Sequence, residues 1–419
     1  MGIDRHTLRA VISDYIDMEL PPLVKREVDI NRLLRMPLSV AIIGPRRAGK
    51  TYLLYQIMEE LQERGVERES MLYIDFDDDR LAGIDSANVS EIPDLFEEIT
   101  GRQAEYVFLD EVQRAPNWQR FVRRLMNFRK KVFVTGSNSA LVRKEYRTEL
   151  GGRITTFEIL PFSFREFLRA RGQKNTARAR KKVKRAAERY IRWGGYPGIA
   201  EEDKEQVIRA TLRAYVETVV YKDVAGRYGS SEEGIRLVLK KIAENVCNEY
   251  TAESLRRSLK TVGYEISTKT VVEYLNQLEE AYAAMHIRNY RKSFRQRERY
   301  RKTYLPDQGF IPMLTVGDNT SKQLENSVYL ELRRRYGGDN VFYIRGNKGE
   351  VDFYVERANT YVQVCVDPFG PAAERELRAI ERTRGRKVII TMWEEGEIGD
   401  IEILPFWKWA LEERQHGER

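Results

Sequence analysis

Apolar residues in the first third of the chain come in short runs, each closed by small or acidic side chains. Ser39-Val40-Ala41-Ile42-Ile43, Met71-Leu72-Tyr73-Ile74-Asp75-Phe76, Tyr106-Val107-Phe108-Leu109 and Lys131-Val132-Phe133-Val134-Thr135 are short and nearly continuous, which predicts strands buried on both faces. The first is followed by the helical segment Tyr52-Leu53-Leu54-Tyr55-Gln56-Ile57, so the order is that of a parallel α/β sheet. From residue 231 the period changes. Ile235, Val238, Leu239 and Ile242 predict a helix over 231–243. Thr251 caps a second helix carrying Leu255 and Leu259, and Ser267 caps a third over 268–281 that buries Val271, Leu275 and Leu278. Ala284–Ile287 and Tyr304-Leu305 then read as two strands. The last hundred residues predict a helix opening at Gln323-Leu324-Glu325-Asn326, a hairpin of Val341–Ile344 and Glu350–Val355, and a further strand, Tyr361–Val366.

Between the first strand and its helix stands Gly44-Pro45-Arg46-Arg47-Ala48-Gly49-Lys50-Thr51, a complete G-x-x-x-x-G-K-[ST] loop, with Tyr52 following. In such a loop the glycines let successive backbone N–H groups curl round a phosphate. Lys50 reaches the β- and γ-phosphates and the Thr51 hydroxyl ligates magnesium. ATP and Mg2+ are the expected ligands.

The third strand closes in Asp110-Glu111. Asp110 is placed to hold magnesium through water, and Glu111 to orient and polarise the water that attacks the γ-phosphate. The fourth strand ends in Gly136-Ser137-Asn138-Ser139, at the sheet edge where such folds bind ligands, which makes Asn138 a candidate sensor of the γ-phosphate or of the attacking water. Arg153, after the flexible Gly151-Gly152 turn, is a candidate to neutralise phosphate charge, in its own subunit or a neighbour's. Glu111, Asn138 and Arg153 are therefore the expected catalytic set.

Composition narrows the classes. Among 419 residues, 32% are charged and 42% hydrophobic, and no run approaches 18 apolar residues, so no membrane partner is expected. The opening Met1-Gly2-Ile3-Asp4-Arg5-His6 has no signal-peptide core, and the expected location is the cytoplasm. Two cysteines and three histidines exclude a disulfide framework and an ordinary zinc cluster. The net charge of +8 is modest, but it is concentrated: Arg169 to Arg192 holds eleven Lys or Arg against Glu188, and Arg288 to Lys302 eight against Glu298.

The run of Gly44–Thr51, Tyr73–Phe76, Leu109-Asp110-Glu111-Val112-Gln113, Thr135–Ser139, Gly152-Arg153 and Leu160–Phe167 resembles the AAA-type P-loop ATPases, frequent in archaea and also found in bacteria, whose core is joined to a C-terminal domain of unknown function. The likeness continues through Gly194-Gly195-Tyr196-Pro197, Asp307-Gln308-Gly309 and Gly349–Phe353. It implies a nucleotide-driven machine or switch, and by analogy a homo-oligomer. The expected organisation is an N-terminal helical segment (1–30), a P-loop core of AAA type with a parallel sheet (31–168), a helical lid or linker (169–230), a winged helix-turn-helix (231–310) and an α/β domain like restriction endonucleases (318–412).

Three helices with a short Gly-containing turn before the last have the helix-turn-helix layout, and the two strands around the basic run make a wing. Lys269, Thr270 and Asn276 on the last helix, with Arg291, Lys292, Arg295 and Arg297 on the wing, are the candidate contacts to duplex DNA. Glu273, facing outward, argues against tight base contact.

In the C-terminal segment, active nucleases of this skeleton place an acid at the position of Asp352 and Glu-x-Lys on the next strand, where the carboxylates hold metal and the lysine stabilises developing charge. Here Gln363 replaces the acid and Cys365 the lysine. Glu325 and Asp352 remain, so the expectation is a degenerate site, with a migrated lysine such as Lys348 as the counter-case.

The leading expectation is thus an ATP-hydrolysing AAA-type ATPase that couples nucleotide state to duplex DNA binding. Two readings stand beside it: an ATPase switch that grips a protein partner, and an ATP-dependent nuclease.

Overall fold

The computed structural model describes residues 2–136, 149–173, 176–346, 349–370 and 373–412. The chain divides into two compact units, Met1–Ile159 and Leu160–Arg419.

In the first unit, β1 (Ser39–Ile43), β2 (Met71–Asp75), β3 (Tyr106–Asp110), β4 (Lys131–Thr135) and β5 (Ile154–Glu158) form a sheet ordered β2-β3-β4-β1-β5. Every neighbour pair is parallel. Successive strand side chains point to opposite faces, and the core splits accordingly. Val40 and Ile42 join Tyr73, Phe108 and Phe133 against Leu53, Leu54 and Ile57 of helix Lys50–Glu63. Ala41 and Ile43 join Leu72, Ile74, Val107, Leu109, Val132 and Val134 on the other face, where Leu8, Val11 and Ile12 of helix Arg5–Asp17 cover them. The N-terminal segment is therefore part of the core rather than an appendage. The register pairs Asp75 with Asp110 and Ile42 with Thr135, so the ends of β1 to β4 come out on one edge.

In the second unit the three expected helices are Glu232–Glu244, Ala252–Lys260 and Thr268–Glu280, capped by Ser231, Thr251 and Ser267. With them goes an antiparallel sheet, β6-β8-β7, of β6 (Glu249–Tyr250), between the first helix and the second, and β7 (Met285–Ile287) and β8 (Arg301–Tyr304), after the third. The basic run between β7 and β8 includes a short helix, Phe294–Arg299. Next come helix Thr320–Tyr336 and a mixed sheet ordered β13-β14-β12-β11-β10-β9. Its strands are β9 (Val341–Gly346), β10 (Gly349–Val355), β11 (Thr360–Val364), β12 (Arg386–Thr391), β13 (Gly396–Ile398) and β14 (Ile401–Pro405).

The segments expected as separate domains at 231–310 and 318–412 are built into one another. The Tyr290 N–H donates to the Tyr343 carbonyl (2.9 Å) and the Tyr343 N–H to the Arg288 carbonyl (3.1 Å), so the chain leaving β7 runs beside β9. Tyr304 of β8 stacks on Tyr329 of helix Thr320–Tyr336, with ring centroids 4.2 Å apart. Another tie explains two motifs. The buried Asp307 carboxylate accepts from the Gly195 N–H (2.7 Å) and the Gly309 N–H (2.8 Å). Gly194 has φ +87°, and a Cβ there would fall 1.6 Å from Asp307 Oδ1, so only glycine fits. Among the described residues no helix is long and apolar enough to cross a membrane.

Candidate functional site

β1 delivers the chain to the phosphate loop at the carboxyl edge of the sheet. Gly44 has φ +148°, and a Cβ there would lie 1.9 Å from the Ile159 carbonyl oxygen. Arg47 (φ 64°) and Gly49 (φ 94°) are both left-handed, which curls the loop. Helix Lys50–Glu63 starts at Gly49, which has no side chain to cap it, so the positive end of the helix opens onto the loop. Lys50 is buried, with Nζ 3.1 Å from the Pro45 carbonyl and 3.3 Å from that of Gly44, folded across its own loop. Tyr52 is half exposed.

At the ends of β3 and β4, polar groups converge. Asp110 is 1% exposed, and Thr135 donates its hydroxyl to Oδ1 of that carboxylate. The Glu111 N–H points between the Asp110 carboxylate and the Thr135 hydroxyl, 3.1 Å from each. Tyr73 donates to Asp110 Oδ2 at 3.2 Å. Burial pushes the Asp110 carboxyl up, while hydrogen bonds from Thr135 and Thr51 pull it down. Asp75, the next strand end, is pushed up to about 6, mainly by burial. Glu111 sits at φ 46°, and its Oε2 accepts from the Gln113 side-chain amide at 2.5 Å.

The residues present fit a triphosphate with magnesium. An uncapped helix start and glycine-lined loop suit a phosphate, and the Thr51 hydroxyl and Asp110 carboxylate are hard oxygen donors of the kind Mg2+ takes. The expected loop residues, Thr51, Asp110 and Glu111 are thus brought together.

Others are not. Asn138 lies outside the described residues. Arg153 precedes β5, and its carbonyl accepts from the N–H of Ser39, the first residue of β1. That is the amino edge of a parallel sheet, opposite the loop, where exposed Arg153 donates to Asn127 Oδ1 at 2.6 Å. Of the two placements open for Arg153, its own subunit's phosphates or a neighbour's, this topology speaks against the first.

In the second unit, the candidate DNA contacts divide in two. Lys269, Asn276, Arg291 and Arg295 are exposed, with Lys269 3.9 Å from Glu273 and Asn276 accepting from Arg301 at 3.3 Å. Thr270, Lys292 and Arg297 are tied into the fold. The Thr270 N–H donates to Ser267, Lys292 donates to Glu249 (3.1 Å), and Arg297 donates to the Tyr290 and Lys292 carbonyls.

Glu325, Asp352 and Gln363 do come together. Gln363 Oε1 accepts from the Asp352 N–H at 3.3 Å, and Asp352 Oδ2 accepts from the Val364 N–H at 3.0 Å. Cys365 turns away, its thiol 3.2 Å from the Asp367 carbonyl. Lys348 lies outside the described residues.

Three participants escape the reading of the sequence. Arg26 braces the loop: its guanidinium donates to the Ala48 carbonyl at 2.7 Å, while its backbone exchanges hydrogen bonds with the Gln56 side chain. Nothing in its local sequence marks it. Thr135 closes β4 as Asp110 closes β3, and that parallel was a usable signal. Lys302 was counted with a basic surface run but is fully buried among carboxylates.

A family model described as an AAA domain matches residues 37–168, and one described as a domain of unknown function (DUF8612) matches 184–321. An uncharacterized protein of Methanocaldococcus jannaschii, MJ1544, is 32% identical over 435 aligned positions, covering 98% of this chain and 96% of that protein. An uncharacterized protein of Haemophilus influenzae is 29% identical over 385 positions, covering 88% and 94%. Among solved structures, a Walker-type ATPase of Pyrococcus abyssi is similar at a TM-score of 0.47 and 15% identity, over 71% of this chain and 99% of that one.

Proposed function

The chain belongs to the same family as MJ1544 of Methanocaldococcus jannaschii and carries an AAA domain of the P-loop ATPase class; on that premise we propose that it hydrolyses ATP with Mg2+ and couples nucleotide state to duplex DNA. The observation that carries the hydrolytic part is the convergence of Thr51, Asp110, Glu111 and Thr135 at the carboxyl edge, beside an uncapped helix start.

Residues Gly44 to Lys50 would bind and orient the triphosphate, with backbone N–H groups on phosphate oxygens and the Lys50 ammonium moving from its loop carbonyls to the phosphates. Thr51 and Asp110 would hold Mg2+, which when bound neutralises phosphate charge. Thr135 holds the Asp110 carboxylate from the far side, which fixes its orientation. Glu111 takes the proton of the attacking water, and Gln113 sets where its carboxylate rests.

The DNA part rests on the three-helix, three-strand arrangement of residues 231–304, read as a winged helix, with Arg291 and Arg295 exposed on the wing. A second reading, a switch acting on a protein partner, is favoured by one observation. The last helix offers few free base-reading groups, since Thr270 serves the cap and Lys269 faces Glu273, while Phe294 is 80% exposed at the wing.

The test is ATP turnover by the full chain and by Glu111→Gln, with and without duplex DNA, across a salt series. Turnover should fall about 10²-fold or more in the variant, with nucleotide binding retained. DNA should stimulate the wild type at low salt, with an effect that declines steeply as salt rises. Turnover unaffected by Glu111→Gln would overturn the hydrolytic assignment. Absence of DNA binding at about 50 mM salt would favour the protein-partner reading.

A further inference from the structure

Lys302 has no exposed surface, and its ammonium touches carboxylates from two other elements. Nζ lies 2.8 Å from Glu350 and 3.0 Å from Asp352, both on β10, and 2.9 Å from Glu325 on helix Thr320–Tyr336. An unpaired ammonium at such depth would lose its proton. Burial does pull that way, but Asp352, Glu325 and Glu350 together outweigh it and hold the Lys302 pKa well above the usual lysine value.

Glu350 also faces Arg345, 3.6 Å away. Lys302 and Arg345 thus stand against three acidic side chains, Asp352, Glu350 and Glu325, the last pushed up to about 7 by burial and the neighbouring Asp352. Other groups engage the same acids: Tyr304 donates to Glu325 Oε1 at 2.8 Å, Asp352 Oδ2 accepts from the Val364 N–H, and the buried Cys247 thiol also meets Glu325.

A nuclease-like skeleton implies a divalent cation held between the acids at the positions of Glu325 and Asp352, and the residues present do not fit one. Gln363 supplies an amide where a third charge would stand, and the point between the two carboxylates is filled by the Lys302 ammonium. Among the described residues, no group of three or more His, Cys, Asp or Glu side chains is set to hold a metal ion.

We propose that Lys302 is the resident cation of this centre: a side chain from β8 takes the place of a divalent metal, turning an acidic site into a metal-free ionic joint between the wing and the C-terminal sheet. The joint ties β8 to both the helix and the strand that carry the acids, so withdrawing Lys302 should leave a cage able to take up a divalent cation.

The test is a Mn2+ titration of the full chain, counting bound ions by the loss of the free-ion paramagnetic resonance signal. Lys302→Ala should bind one Mn2+ per chain more than the wild type, and Lys302→Ala with Asp352→Asn should lose it. The thermal midpoint of Lys302→Ala should rise with Mn2+, while that of the wild type should not respond through this site. If Lys302→Ala does not fold, Asp352→Asn in the otherwise unchanged chain still decides. An unaltered Mn2+ count supports the proposal, and a count lower by one overturns it. Equal counts in a folded Lys302→Ala and the wild type, or plasmid cleavage by the wild type that Lys302→Ala abolishes, also overturn it.

Discussion

The side-chain amide of Gln113 donates to Glu111 Oε2 at 2.5 Å, so the carboxylate assigned to polarise water is already engaged by a residue two positions along. A hydrogen bond to a charged acceptor is worth about 1.5–3 kcal/mol, and the carboxylate has to give it up before a water can take the same place. Gln113→Ala should therefore raise basal ATP turnover, by up to about tenfold, with KM little changed. A fall in kcat at constant KM would mean instead that Gln113 holds Glu111 in its working orientation.

Arg26 reaches the loop from outside the motif. Removing its guanidinium leaves the Ala48 carbonyl without that buried donor, at a cost of about 1–3 kcal/mol. Arg26→Ala should lower the thermal midpoint and raise KM for ATP, while kcat at saturating ATP stays near wild type because no reacting group is lost. Calorimetry and steady-state kinetics on one preparation separate the two effects.

Arg153 tests topology directly. It lies at the amino edge of the sheet, bonded to Asn127, away from the loop of its own subunit. Arg153→Ala should leave turnover unchanged at dilute protein. If the arginine serves a neighbour, the deficit should emerge only as protein concentration rises and chains associate. A deficit that is constant across concentration would contradict the placement.

These cases show where the chain was readable. β1 to β4 and two helix caps were legible because burial on both faces writes continuous apolar runs, and because Thr251 and Ser267 each precede a helical period, whereas Ser231, read as the first residue of its helix, is its cap. Thr51, Asp110 and Glu111 were legible because a parallel sheet sends strand ends to one edge. The same rule, applied to what precedes a strand, would have removed Arg153 from that edge. Lys302 was illegible because its surroundings come from residues far along the chain, so a basic run looked like a solvated face. Asp307 was visible only as part of a motif, and its purpose needed the Gly194-Gly195 turn folded against it.

Asp307 gives a pH prediction. Burial pushes its carboxyl up to about 7, above the ordinary 3.8, so folding favours the protonated form. The stability this contributes is present in full below about pH 4 and is lost as pH rises through about 7. Asp307→Asn cannot titrate. The difference in denaturant midpoint between wild type and Asp307→Asn should therefore shift against the wild type across that interval and flatten above it. A difference that is constant from pH 4 to 8 would show that Asp307 stays ionised throughout.

The wing offers the sharpest separation of surface from scaffold. Arg291 and Arg295 are exposed, whereas Lys292 binds Glu249 and lies 3.5 Å above the Tyr300 ring, and Arg297 donates to two backbone carbonyls. If the wing lies along a phosphate backbone, each exposed arginine neutralises about one phosphate. Arg291→Ala and Arg295→Ala should each weaken duplex binding uniformly across sequences and reduce the slope of log K against log salt by about 0.9, with the thermal midpoint unchanged. Lys292→Ala and Arg297→Ala should do the reverse, lowering the midpoint through lost internal bonds while leaving the salt slope of the folded fraction nearly intact. Salt-dependent anisotropy titrations on the four variants, each with its melting curve, check the assignment. Equal slopes for all four would remove the wing from the DNA interface, whatever the rest of the second unit binds.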